Sequence, residues 1–172
     1  RSGASQKHAH MHMLLACRSP YQGSSKLLGA KNSYYDDFSS DFFKDQFSVY
    51  EGLSLGFKHP SGGNCFASLV PRKDNEVWVV GDSLNGLVDA GFDAYRFFVE
   101  DLGVYAFNFV LHCPKINSFG KRVDDDFPYI MRFVDRGALR RGTDFAFSEV
   151  FETPVIGSDP FKVSEKFKKR VF

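Results

Sequence analysis

The chain has 172 residues, enough for one domain of ordinary size with a real core. Its 22 lysines and arginines nearly balance 21 aspartates and glutamates, and no apolar run approaches the length of a membrane span, so neither a nucleic acid nor a membrane is expected as a partner. The three cysteines, Cys17, Cys65 and Cys113, are far apart and odd in number; they read as reduced thiols of a cytoplasmic protein and offer no Cys-x-x-Cys knuckle for zinc.

The first element is the most informative. Three of the five histidines, His8, His10 and His12, fall at alternate positions, and in an extended strand they line one side with Leu14. Ala9, Met11, Met13 and Leu15 line the other, an apolar face suited to a core. Ser2, Gly3, Ser5 and Gln6 precede the strand, a stretch of small and polar residues that can turn backbone N–H groups and hydroxyls toward an anion. A phosphate beside a row of imidazoles follows from that arrangement. A neutral imidazole attacks well near pH 7 and leaves readily once protonated, so it divides one phosphoryl displacement into two easier ones. Flanking imidazoles on the same face can bond phosphate oxygens or protonate a leaving group.

The pattern His-x-His-x-His-apolar-apolar at 8–14 resembles the histidine-triad signature. The lead-in Ser-Gly-Ala-Ser-Gln-x-His-x-His at 2–10 resembles the galactose-1-phosphate uridylyltransferase and dinucleoside-tetraphosphate phosphorylase branches of that superfamily. The resemblance implies nucleotidyl transfer through a covalent nucleotidyl-histidine, with His10 as nucleophile, His8 and His12 assisting, and Ser2, Gly3, Ser5 and Gln6 around the phosphate. Its implied ligand is a nucleotide or nucleotide sugar. In the transferase and phosphorylase branches the position of His12 is usually glutamine, whereas histidine there resembles the hydrolase branches. An imidazole can take and return a proton near neutral pH and so assist water, which a glutamine cannot.

In the family the motif closes a domain whose other strands precede it, yet this sequence begins inside the lead-in. Residues 1–35 are therefore expected to end a first domain of this type, and 36–172 to form a second one without the histidine motif. Such a chain would expose apolar surface and form a homo-oligomer or associate with a missing N-terminal half. Three readings stay open: a nucleotidyltransferase, a nucleotide hydrolase, and a non-catalytic subunit of a larger assembly.

Residues 17–35 have the Pro, Gly, Ser and Asn content of a long surface connection. Phe38, Phe42, Phe43, Phe47 and Tyr50 recur at spacings of three and four after Ser39, Ser40 and Asp41, which predicts a capped amphipathic helix ending between Gly52 and Gly56. His59 to Gly63 breaks the chain, and His59 reads as plain surface. Asn64–Val70 and Glu76–Val80 predict strand–turn–strand. Between Asp82 and Leu102, residues Leu84, Leu87, Val88, Tyr95, Phe98, Val99 and Leu102 mark a helical stripe stopped by Gly103. Residues 104–113 read as a central strand and 127–134 as another. Asp159 caps a last helix with Pro160 in its first turn and Val163, Phe167 and Val171 as its stripe, while Lys166, Lys168, Lys169 and Arg170 form a solvated basic end. Twenty phenylalanines make the core aromatic-rich.

This order of elements predicts an α+β fold, an antiparallel sheet with helices packed on it. It resembles the C-terminal part of a galactose-1-phosphate uridylyltransferase, through Val70-Pro-Arg-Lys73, Phe107 to His112 and Phe145 to Phe151. By position, Glu149 falls where that family contacts a sugar hydroxyl, although Ser148 stands in place of its usual tyrosine. His112 matches a histidine that holds a structural metal in some members, but Tyr129 and Met131 replace its partners, so it reads as a satisfied core histidine. In some members of the family zinc is held by the first motif histidine together with upstream cysteines that this sequence lacks, so zinc on His8 stays open but unsupported, and no cofactor is assigned.

Overall fold

The computed structural model describes residues 12–16, 19–116, 127–137 and 154–172. Five strands form one antiparallel sheet: β1 (Gly56–Lys58), β2 (Asn64–Ala67), β3 (Val77–Gly81), β4 (Phe107–His112) and β5 (Tyr129–Asp135), in the order β1-β2-β3-β5-β4. Four α-helices pack on it: α1 (Gln22–Phe38), α2 (Phe42–Gly52), α3 (Leu84–Arg96) and α4 (Pro160–Val171).

The sheet is buried on both faces at its centre, which is why β3 reads Val-Trp-Val-Val with no polar alternation. Val77 and Val79 point to one face with Cys65 and Ala67 of β2, where α3 and α4 contribute Leu87, Ala90, Ala94, Val163 and Phe167. Trp78, Val80 and Phe66 point to the other, under Phe43 and Phe47 of α2 and the partly buried Leu27 and Leu28 of α1. Aromatic rings carry much of the contact. Phe167 stacks on Phe97 at 5.0 Å and meets Phe57 edge-on at 5.1 Å.

The capped helices stand as expected. The Asp41 carboxylate accepts from Lys44 N at 2.9 Å, and Asp159 accepts from Phe161 N at 3.0 Å with Pro160 behind it. Arg170 departs from the solvated reading: its guanidinium is largely covered and bonds Glu100 and Asp101.

Four other stretches differ from their local signals. Most of the stretch 17–35, read as a loop, belongs to α1, because Leu27, Leu28 and Tyr34 find partners in the sheet and α2 that a loop composition does not reveal. The strand at 56–58 falls where a helix end was expected. Helix α3 turns its small residues inward. Leu87, Ala90, Gly91 and Ala94 are buried, whereas Leu84, Val88 and Tyr95 are exposed; at Gly91 the absence of a Cβ leaves room for the Met131 sulfur of β5. A π-helical turn, Phe97–Asp101, follows; its extra residue allows the adjacent Phe97 and Phe98 both to point into the core before Gly103, at φ +64°, ends the run. Finally, β4 is the edge of the sheet and β5 lies inside it, the reverse of a central strand at 104–113.

Candidate functional site

Of the expected site residues, His12 alone lies among the described residues. His8, His10, Ser2, Gly3, Ser5, Gln6 and Glu149 lie outside them. The segment His12–Ala16 has no regular secondary structure, and Met13, Leu14 and Leu15 are exposed, so the expected strand is not formed over this part. A strand needs a hydrogen-bonded neighbour, and neither edge of the sheet pairs with these residues.

The segment leads into α1, and the first turn of α1 is fastened to the sheet by a histidine. Ser24 Oγ lies 2.9 Å from His112 Nδ1, at the last residue of β4. His112 is a half-buried histidine with a side-chain partner, as its isolation from other metal-ligating residues in the sequence suggested. Burial, and less strongly the Arg132 guanidinium, hold it below the ordinary imidazole range. The unfolded chain therefore takes up this proton first as pH falls. Stability from the neutral ring should be fully present above about pH 6.5 and lost as pH falls from there through the lower folded value. Denaturation from pH 8 down to pH 5 should show that loss in the wild type and a flatter profile in His112→Gln; identical profiles would refute it.

A second cluster was invisible in sequence. His59, expected at the surface, is buried at 7 % exposure. Its Nε2 lies 3.1 Å from Asp93 Oδ2 on α3, and its Nδ1 lies 2.7 Å from Ser61 Oγ. A carboxylate only accepts, so Nε2 carries a proton. Ser, His and Asp in contact invite comparison with a nucleophilic triad, but the serine hydroxyl is committed elsewhere. Ser61 Oγ lies 2.6 Å from the Gly86 carbonyl, which can only accept, so the hydroxyl proton points there and not toward the imidazole. The cluster fastens the 59–63 turn to the start of α3. Only the close return of residues 59, 61 and 93 in space marks it, and their spacing along the chain carries no such signal.

Beside it is a cavity of about 200 Å³ lined by Ser61, Gly62, Gly63, Gly81, Asp82, Ser83 and Gly86. Glycine is required at 86, where a Cβ would come within 2.7 Å of the Ser61 carbonyl oxygen, and suits 62, at φ +102°. Ser83 caps α3, accepting from Gly86 N at 3.3 Å. Among the described residues, no group of three His, Cys, Asp or Glu side chains is placed to hold a metal ion, and no helix is long and apolar enough to cross a membrane.

No family model matches the chain, and no curated protein matches it in sequence. Its architecture is nonetheless similar to a solved one, that of an ADP-glucose phosphorylase from Arabidopsis thaliana with bound ADP-glucose. The TM-score is 0.55 at 12 % identity, over 84 % of this chain and 48 % of that one. At this identity the likeness is one of fold. It bears out the expected α+β class, an antiparallel sheet with helices packed on it, and the chain spans about half the length of the protein it matches.

Proposed function

We propose that this chain takes part in nucleotidyl transfer from a nucleotide sugar or a dinucleoside polyphosphate, through a nucleotidyl group held on His10. The observation that carries the reading is a coincidence of two independent signals. The alternating histidines with their Ser-Gly-Ala-Ser-Gln lead-in precede a domain whose fold is shared with an enzyme solved with a nucleotide sugar bound. Chance would have to supply both. In this reading the His10 imidazole attacks the α-phosphorus and the bond to the bridging oxygen breaks. The departing sugar phosphate, or the nucleoside polyphosphate where the substrate is a dinucleoside polyphosphate, takes the electron pair, and an acceptor later displaces the histidine. His8 and His12 bond the phosphate oxygens, Ser2, Gly3, Ser5 and Gln6 surround them, and Glu149 meets a sugar hydroxyl.

A second reading, hydrolysis of the same compounds, is favoured by His12, whose imidazole can deprotonate water where a glutamine could not. Both share the intermediate, and one experiment tests it. The full chain incubated with ADP-glucose or a dinucleoside tetraphosphate labelled at the α-phosphorus should retain label as an acid-labile, base-stable phosphoramidate. His10→Ala should abolish the label and His112→Ala should keep it. Label persisting in His10→Ala would reject this nucleophile, and no label in the wild type would leave the non-catalytic subunit as the better description.

A further inference from the structure

The first turn of α3 joins an exposed carboxamide, that of Asn85, to a glycine that packing does not allow to change, Gly86. We propose that this pair is a site of spontaneous deamidation, and that its isoaspartate product unfastens the 59–63 turn from α3. It is the one Asn-Gly pair in the sequence.

The reaction needs only water and the protein itself. The Gly86 backbone nitrogen attacks Cγ of Asn85. A bond from that nitrogen to Cγ forms as the bond from Cγ to Nδ2 breaks, and ammonia leaves with the proton of the Gly86 amide. Water then opens the five-membered imide. Attack of water at Cγ gives aspartate; attack at the Asn85 backbone carbonyl gives isoaspartate, in which the main chain runs through the side chain and is one methylene longer.

Two restraints suppress this attack inside a helix. Each N–H is bonded to the carbonyl four residues back, and the helical backbone angles hold the nitrogen away from Cγ. The first restraint is lifted at Gly86, the third residue of α3, because the opening N–H groups of a helix have no intrahelical carbonyl behind them. Its N–H donates to the Ser83 hydroxyl over 3.3 Å, beyond the ordinary length of such a bond. The second restraint yields when the end of the helix frays. Little opposes fraying here. Leu84 is 43 % exposed and so contributes little burial, and no acidic side chain lies within the first turn to meet the positive end of the helix. Glycine adds backbone freedom and has no side chain to shield its nitrogen.

The two products act in opposite directions. Aspartate at the second helical position places a carboxylate at the positive end of α3, which favours the helix. Isoaspartate moves Gly86 by a chain atom, and Gly86 has no slack. Its carbonyl accepts from the Ser61 hydroxyl at 2.6 Å, and a Cβ on it would come within 2.7 Å of the Ser61 carbonyl oxygen. Ser61 in turn lies 2.7 Å from His59 Nδ1, so the displacement reaches the buried His59 and its contact with Asp93.

The full chain held for weeks in mildly alkaline buffer should gain, in the peptide that carries residues 85 and 86, the mass of one amide converted to an acid. Electron-transfer fragmentation separates the aspartate from the isoaspartate. The same chain unfolded in urea should convert faster and sets the upper rate. Asn85→Gln should abolish the gain in that peptide, and Ser83→Ala, which frees the Gly86 N–H and weakens the cap, should raise the folded rate about fivefold. Asn85→Asp should keep amide exchange at residues 59–63 as slow as in the fresh protein, whereas the isoaspartate fraction should exchange faster there. If Ser83→Ala fails to fold, the mass gain of the wild type decides the site. An unchanged mass at 85–86 in the folded chain while the urea-unfolded chain converts would overturn the proposal, and so would an isoaspartate form that protects 59–63 as well as the fresh protein does.

Discussion

Phe167→Ala should lower the unfolding free energy by about 3–5 kcal/mol, the cost of removing a fully buried phenylalanine without collapse of the site. The ring is 0 % exposed and is held between Phe97 and Phe57, so it joins α4 to the π-helical turn and to β1 at one point. Neither neighbour can close the gap, because Phe97 is fixed by the widened turn and Phe57 by its pairing with Cys65. Against a total stability of about 5–15 kcal/mol for a domain, this is a large fraction. Phe167→Leu keeps most of the volume and should cost less than half as much. Urea denaturation with an unchanged slope would report both losses as stability. A Phe167→Ala cost below about 1 kcal/mol would mean that α4 does not dock as described.

Glu76→Ala should cost about as much, roughly 3–5 kcal/mol, for an electrostatic reason. Glu76 is buried, and its carboxylate is saturated: Oε1 accepts from Trp78 Nε1 at 2.6 Å and from Arg132 Nη2 at 2.7 Å, while Oε2 accepts from Arg72 N at 2.6 Å. Arg132 also lies 4.5 Å from the centre of the Trp78 ring, so one carboxylate orients the cation that covers the indole. Deleting the carboxylate strands a guanidinium, an indole N–H and a backbone N–H together. Glu76→Gln retains an acceptor oxygen and should lose only about 1–3 kcal/mol. Equal losses in the two variants would show that the charge alone matters here, and that the acceptor oxygen and volume kept by glutamine do not.

Some of this was legible in the residues themselves. Asp41 and Asp159 stand before apolar periodicity and cap the helices they announce, because a cap acts on backbone groups only two or three residues away. The runs that became β2, β3, β4 and β5 were visible for the same local reason, and so was the α+β class. The alternating histidines on which the proposed nucleotidyl transfer rests are likewise a signal of a dozen contiguous residues.

What the tertiary structure alone decided depends on residues distant in sequence. Of the stripe that periodicity marked, Leu87 and Phe98 are buried, but Leu84, Val88 and Tyr95 are not, and Ala90, Gly91 and Ala94 complete the inner face, with Gly91 against the Met131 side chain of β5. His59 stood in a Pro/Gly turn and looked exposed until α3 brought Asp93 to it and the Gly86 carbonyl to its neighbour Ser61. The stretch 17–35 has a loop composition, and from Gln22 on it is helical because the sheet and α2 offer Leu27, Leu28 and Tyr34 a surface. A strand as apolar as β4 reads as central, and its place at the edge was fixed by β5 pairing with both β3 and β4. A sequence lists the groups that must be covered, but only the assembled sheet determines which of them remain uncovered.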